Sequence, residues 1–234
     1  MSTIQVPTIS GDIAADFMQE WWFADAYMSG YSTLAKLGER GARFQYDAWR
    51  VRIALWAAAQ AAKLPGDFVE CGVNTGFLAR AIVHHLKFAA LPKRFYLVDT
   101  FSGVPADQLS PEEKAAGREE HLADTYNEDV YDICKGNFAS FKNVIVIRGR
   151  VPEVLPEVPV KEVAYLSIDM NCAEPEIQAL RYFWPRLAMG AVTLLDDYGF
   201  PGYESQKKAM NELAKELAFQ ILPLPSGQAV IIKA

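Results

Sequence analysis

Two apolar runs of strand length each end on carboxylates: residues 163–169 finish at Asp169, and residues 191–195 run directly into Asp196-Asp197-Tyr198-Gly199. The stretch between them, 174–187, has the length of a crossover helix, so the whole reads as a βαβ unit in a parallel sheet. Open α/β sheets bind ligands outside the carboxyl ends of their strands. Neighbouring strands would therefore gather Asp169, Asp196 and Asp197 in one crevice. Neither run contains Lys or Arg, and three unpaired carboxylates repel one another. A hard divalent cation such as Mg²⁺ relieves that repulsion and keeps positions open for water or substrate oxygens. The competing reading makes Asp197 a cap of the following turn and leaves the other two solvated at a sheet edge.

A second constellation lies upstream. The run Glu70-Cys71-Gly72-Val73-Asn74-Thr75-Gly76 follows an apolar strand and opens a helix over 75–86. Gly72 and Gly76 permit a tight turn and close approach to a ligand, and the helix start offers free N–H groups to an anionic group. The second early glycine of Gly-x-Gly-x-x-Gly is missing, which favours a group smaller than a pyrophosphate. Glu70 is placed to pair with an ammonium. Asp99, about 20 residues further on at the end of the next apolar strand, stands where an acid meets ribose hydroxyls. His121 falls in a charged stretch, where a solvated surface histidine is the competing description. His84 and His85 end a helix, and cation–dipole capping accounts for them.

These residues need elements to hold them. Ile13, Phe17, Trp21 and Met28 predict an amphipathic helix over 12–29, capped by Asp12 after Gly11. Gly38 and Gly41 interrupt the pattern, and Trp49, Ile53, Trp56, Ala57 and Ala61 resume it up to Pro65-Gly66. Trp21, Trp22, Trp49 and Trp56 are expected to pack against the sheet; a substrate cavity or a subunit contact are the alternatives. Further strands are expected at 68–71, 95–99 and 144–147, a helix at 204–217, and a closing hairpin from 218–222 and 229–232. Residues 105–143 read as an insertion of lid length, with a helix start at Ser110-Pro111-Glu112-Glu113.

The chain has 234 residues, 51% of them hydrophobic, and a net charge of -6. It can bury a full core. No basic stripe is present to release phosphate counterions, which argues against nucleic acid as a partner. No run approaches about 18 apolar residues, so membrane insertion is not expected. Cys71, Cys134 and Cys172 lack paired spacing and read as free thiols of a reducing compartment. With no basic-then-apolar leader, a cytoplasmic location is expected. The aromatic N-terminal helices suggest a homo-oligomer.

Taken together, several runs resemble class I S-adenosylmethionine-dependent methyltransferases, and more narrowly the macrocin O-methyltransferase (TylF-like) family. They are Glu70 to Gly76, Asp99-Thr100-Phe101-Ser102-Gly103-Val104-Pro105, Asn137-Phe138, Gly149 with Leu155-Pro156, Ile168-Asp169, and Leu195-Asp196-Asp197-Tyr198-Gly199. The resemblance spans about residues 44–210. It implies methyl transfer to a hydroxyl of a sugar on a natural product or glycan, with S-adenosylmethionine and Mg²⁺ or another divalent cation. It places Glu70, Gly72, Asn74, Thr75, Gly76, Asp99, Thr100, Phe101, Ser102, Arg150 and Asp169 around the cofactor, and Asp169, Asp196 and Asp197 around the metal. The segments 202–208 and 224–228 are more similar to relatives associated with surface polysaccharides than to antibiotic-modifying members.

The sequence departs from this family at one position. Members often read Ile-Asp-x-Asp, the second Asp taking the hydroxyl proton, whereas here the run is Ile168-Asp169-Met170-Asn171. Asn171 cannot accept a proton at neutral pH. Either the metal alone acidifies the acceptor, or His121 or Glu174 is the base, or the acceptor differs; Asp169, Asn171 and His121 are the candidate catalytic residues. The expected fold is α/β: a Rossmann-like, mostly parallel seven-stranded sheet with helices on both faces and an antiparallel C-terminal strand. Residues 1–64 would form a helical N-terminal extension to a methyltransferase domain at 65–234. The alternatives are an S-adenosylmethionine-binding protein with altered catalysis and a nicotinamide-dependent Rossmann oxidoreductase.

Overall fold

The computed structural model describes residues 16–234. Gly11, Asp12 and Ile13, expected to open the first helix, lie outside the described residues. Asp16–Gln19 form a 3₁₀ turn, Glu20 is extended, and α1 spans Trp21–Tyr31. The break at Glu20 resets the helical phase. Phe23, Ala26 and Tyr27 become the buried face, while Trp21 and Met28 of the expected stripe are 79% and 43% exposed. A strap of 3₁₀ turns, Ser32–Phe44, kinked at Gly38, leads into α2 (Ala48–Ala61), whose first turn is capped by the Asp47 carboxylate accepting the Trp49 amide.

The sheet begins with β1 (Asp67–Cys71), α3 (Phe77–His85), β2 (Phe95–Asp99) and β3 (Val144–Arg148). Between β2 and β3 the insertion folds as α4 (Pro111–Ala115), α5 (Arg118–Thr125) and α6 (Tyr131–Phe138). α4 opens where the sequence predicts: Ser110 and Glu113 form a reciprocal capping box. The chain continues through β4 (Val163–Ile168), α7 (Ala173–Phe183), β5 (Leu187–Leu195), α8 (Glu204–Leu217), β6 (Leu222–Pro223) and β7 (Ala229–Ile232). α7 stops short of its periodicity because Pro185 removes a backbone donor, and 184–186 tighten into a 3₁₀ turn. The strand expected over 218–222 shrinks to β6, since Ala218 turns left-handed (φ 56°) to end α8.

Strand order is β3-β2-β1-β4-β5-β7-β6. The first five strands are parallel; β7 is antiparallel to β5, and β6 to β7. Each face buries its own core. On the side of α1, α2 and α3, the rings of Phe68, Phe88, Phe95 and Tyr165 interlock at centroid separations of 5.1 to 6.2 Å. On the other side Val69, Cys71, Leu166, Ile168 and Ile231 pack among residues of α7 and α8. Such aromatic pairs add about 0.5–1.5 kcal/mol each beyond area burial.

This register aligns the strand ends. Cys71 lies opposite Ile168, and Ile168 opposite Leu195. The ladder runs one residue further through Asp169 N–H to the Cys71 carbonyl (2.9 Å) and Asp196 N–H to the Ile168 carbonyl (3.0 Å). Gly72 is needed at this edge: its φ is 86°, and a Cβ there would collide with the Asp169 carbonyl.

Candidate active site

A cavity of about 240 Å³ opens at the carboxyl ends of β1, β2, β4 and β5. At one end lie Asp99, Thr100, Phe101 and Gly149; Gly72, Asn74 and Thr75 line its middle; Asp169, Asn171 and Asp197 close the other end. Asp99 organises the first part. Its Oδ2 accepts the amides of Val73 (2.5 Å) and Asn74 (2.8 Å), and its Oδ1 accepts the Phe101 amide (2.7 Å) and the Thr100 hydroxyl (3.3 Å). One carboxylate thus ties the glycine loop to the turn after β2, which lets Asn74 and Phe101 hold left-handed φ values of 52° and 57°. Asn74 Oδ1 is buried without a hydrogen-bond partner.

Several predicted cofactor residues sit outside the lining. Glu70 is 2% exposed beneath the loop, its Oε2 unpartnered; burial, then the charges of Asp169 and Asp99, push its carboxyl well above the usual range. Gly76 caps α3 behind the cavity, and Ser102 is exposed. Arg150 turns to the rim and pairs with Asp107 at 2.7 Å. The structure does not bring His121 to the site: it is exposed on α5, away from the cavity. Glu174 is also exposed and accepts a hydrogen bond from Gln178 (2.9 Å). A position in a charged insertion says nothing about which way a side chain faces, and here α5 turns its Leu122 side inward.

At the acidic end, one oxygen from each of Asp169, Asp196 and Asp197 falls within 4.8 Å of the others. The sequence shows no basic residue in these strands, yet a cation is present. Arg50, from α2, ion-pairs with the fully buried Asp196, reaches Asp197 at 3.6 Å, and lies between the rings of Tyr46 (4.9 Å) and Phe200 (4.8 Å). Gln228 also donates to Asp196 (2.7 Å). Asp196 is therefore held by protein groups, whereas Asp197 Oδ2 is buried with no hydrogen-bond partner. Burial and the charge of Asp169 push the Asp197 carboxyl well above its ordinary range; burial also raises Asp169, whose Oδ2 accepts the Tyr46 hydroxyl (2.5 Å). An orphaned carboxylate oxygen facing a second carboxylate fits a divalent cation.

The turn from β4 to α7 is pinned from behind by two buried glutamates. Glu176 accepts the Met170 amide (3.1 Å) and Gln206 Nε2 (2.9 Å), and Glu113 accepts the Ala173 amide (2.9 Å). Burial pushes the Glu176 carboxyl up to about 8. The turn holds Asn171 at φ 61°, where Tyr203 donates to its Oδ1 (2.9 Å). The wall above is aromatic: Phe44 of the strap meets Tyr126 at 5.7 Å, and Arg40 of the strap pairs with Glu128. Arg50, Tyr46, Tyr126, Tyr203 and Glu176 escape a sequence reading. Two of them leave a trace, Arg50 being in helical phase with the buried Ala54, Ala57 and Ala61, and Glu176 with the buried Ala179, Leu180 and Phe183.

A parallel sheet in this order, with an antiparallel β7 inserted beside β5 and the cavity at its switch point, is the Rossmann-like fold of methyltransferases. The O-methyltransferase NovP superposes with a TM-score of 0.69 at 18% identity, covering 80% of this chain and 81% of that one. A Podospora anserina methyltransferase with bound S-adenosylhomocysteine, PaMTH1, gives 0.59 at 14%, covering 99% and 98%. The macrocin-O-methyltransferase (TylF) family model matches residues 51–218, and the chain belongs to that family. Among curated relatives, a Streptomyces olivaceus 8-demethyl-8-(2,3-dimethoxy-alpha-L-rhamnosyl)-tetracenomycin-C 4'-O-methyltransferase is 27% identical over 58% of this chain and 54% of its own. A Micromonospora griseorubida mycinamicin III 3''-O-methyltransferase is 25% identical over 59% and 57%. The chain spans just over half the length of these relatives.

Proposed function

We propose that the protein transfers a methyl group from S-adenosylmethionine to a sugar hydroxyl, on a natural product or a surface glycan, with Mg²⁺ or a similar cation at the acidic end. The observation that carries this reading is the single cavity joining an Asp99-organised loop to an acidic cluster with an unpartnered oxygen. The reading extends to this chain the sugar O-methylation for which its relatives are named.

When bound, the cofactor supplies an electrophilic sulfonium methyl and the cation lowers the pKa of the acceptor hydroxyl. The chain's own residues do the rest. Asp99 keeps the loop shaped for the adenosine and is the ribose partner in this reading; Asn74 Oδ1 offers its free lone pairs to the cofactor's ammonium. Asp169, Asp196 and Asp197 would hold the cation, with Tyr46 orienting Asp169 and Arg50 neutralising Asp196. The strap and Tyr126 exclude water and hold the reacting groups for in-line attack. No side chain at position 171 takes the proton, since an amide is not a base at neutral pH. Buried free cysteines agree with a cytoplasmic setting, and the exposed Trp21 and Trp56 with a homo-oligomer, which a monomeric mass by light scattering would contradict.

The test is a calorimetric titration with S-adenosylmethionine. Micromolar binding by the wild type that Asp99→Ala weakens about 100-fold or more is expected, because hydrogen bonds to a carboxylate are worth about 1.5–3 kcal/mol each. No binding with or without Mg²⁺ overturns the reading.

A further inference from the structure

The pair Asn137-Phe138 stands among the runs that carry the family resemblance, yet nothing in the proposed reaction uses it. It closes α6, and both side chains meet the glycine loop. The Phe138 ring occupies the space that a Cβ on Gly76 would need. The Asn137 amide reaches two elements at once: its Nδ2 donates to the Thr75 carbonyl (2.9 Å), in the loop, and to the Thr33 carbonyl (3.2 Å), at the start of the strap. Two carbonyl neighbours fix which end of the amide faces them, since a flipped amide would set oxygen against oxygen. A further bond joins the same two elements. The Thr33 hydroxyl spends its proton on the Gly30 carbonyl (2.8 Å), so the Thr75 hydroxyl, 3.2 Å away, donates to Thr33 Oγ1; both residues are buried. The main chain of Asn137 is held separately, by Arg80 of α3, which donates to its carbonyl (2.8 Å) and to Ser29 Oγ of α1 (3.2 Å).

From Thr33 the strap runs to the cavity. Leu34 and Leu37 are buried, and Gly41 packs so closely on the Leu34 carbonyl that a Cβ would collide with it. Leu37, Arg40, Arg43 and Phe44 then line the cavity, as Thr75 does. We propose that Asn137 is a positioning residue: it ties the strap to the cofactor loop, so that a cofactor seated against Thr75 holds the strap over the acceptor end. This rests on the S-adenosylmethionine-dependent reading of the cavity. Asp99 fixes the Val73 and Asn74 amides on one flank of the loop, and Asn137 with Thr33 holds Thr75 on the other. Short 3₁₀ turns with exposed backbone open at low cost, so the strap depends on these bonds for its position. Coupling of this kind is reciprocal: the cofactor favours the closed strap by the factor by which the closed strap tightens the cofactor. The acceptor meets a finished wall only once the cofactor is in place.

Limited digestion with trypsin reads the strap directly, because Lys36, Arg40 and Arg43 are exposed on it. S-adenosylhomocysteine is the probe. In the wild type it is expected to slow cleavage after these residues on the order of tenfold, within the usual range for coupled sites. Cleavage after Lys161, exposed just before β4 at the end of the sheet away from the cavity, is the control for global stabilisation and should change by less than about twofold. Asn137→Ala, shown by calorimetry to bind the probe, should keep less than about twofold protection of the strap. Thr33→Val preserves the side-chain shape and removes the hydroxyl pair; it should lower protection in the same direction, and it carries the test if Asn137→Ala fails to fold. Protection undiminished in the folded variants, equal at the strap and at Lys161, or absent from a wild type that binds the probe overturns the inference alone. A wild type that does not bind the probe overturns the cofactor reading and this inference with it.

Discussion

At the cofactor end of the cavity, the Asp99 carboxylate accepts the amides of Val73, Asn74 and Phe101 and the Thr100 hydroxyl. At the acidic end, Asp197 is more deeply buried than the half-buried Asp99, yet its Oδ2 has no hydrogen-bond donor. The first arrangement is complete and pre-shapes a loop; its partners come from two adjacent strand ends. The second concentrates three carboxylates against one guanidinium, with side chains drawn from α2, the strap region and the C-terminal hairpin. Buried polar groups left unsatisfied cost stability. At the acidic end that cost falls on a carboxylate oxygen close to a second carboxylate, an arrangement a divalent cation would relieve.

The largest effect is expected at Arg50. Removing one partner of a buried ion pair strands the other, at about 3–5 kcal/mol. Arg50→Ala should lower the midpoint of chemical denaturation accordingly and, if the contrast is sound, be partly rescued by Mg²⁺, since the stranded carboxylates then face a cation. Rescue by Mg²⁺ that is no greater than in the wild type would blunt the comparison.

Glu176 lies behind the acidic end, where it accepts the Met170 amide. Its folded-state pKa of about 8 lies above its unfolded value of 4.5. Its protonated form therefore supports folding fully below pH 4.5, and that support is lost as pH rises through 8. Glu176→Gln should flatten the fall in stability across this window, removing a change of about 4–5 kcal/mol. Melting curves in chelator between pH 5 and 8.5 check it; parallel wild-type and variant profiles would contradict it. His121→Ala gives the smallest effect. With the histidine exposed on α5, turnover should change by less than about twofold.

What the sequence made legible follows from what is local. Strand ends, the glycine loop and the acids one residue beyond each strand are periodic or adjacent features, and the parallel register converts them directly into a site. The phase of α1 was lost to a single extended residue, Glu20. Contacts that decide the electrostatics were invisible because their partners are remote: Arg50 and Asp196 are 146 positions apart, Tyr46 and Asp169 123. Asn171 could be seen as a departure from a motif, but the hydroxyl that orients it lies on the turn before α8, where no pattern announces it.

In the proposed function, Asp169, Asp196 and Asp197 hold a cation. Asp197→Asn tests this most directly, by thermal unfolding in chelator and in millimolar Mg²⁺. Replacing the unpartnered carboxylate by an amide should raise stability in chelator, by about 1–3 kcal/mol, and abolish the stabilisation that Mg²⁺ gives the wild type. If the wild type gains nothing from Mg²⁺, and Asp197→Asn is destabilised in chelator, the carboxylates are a structural cluster and the claim is wrong.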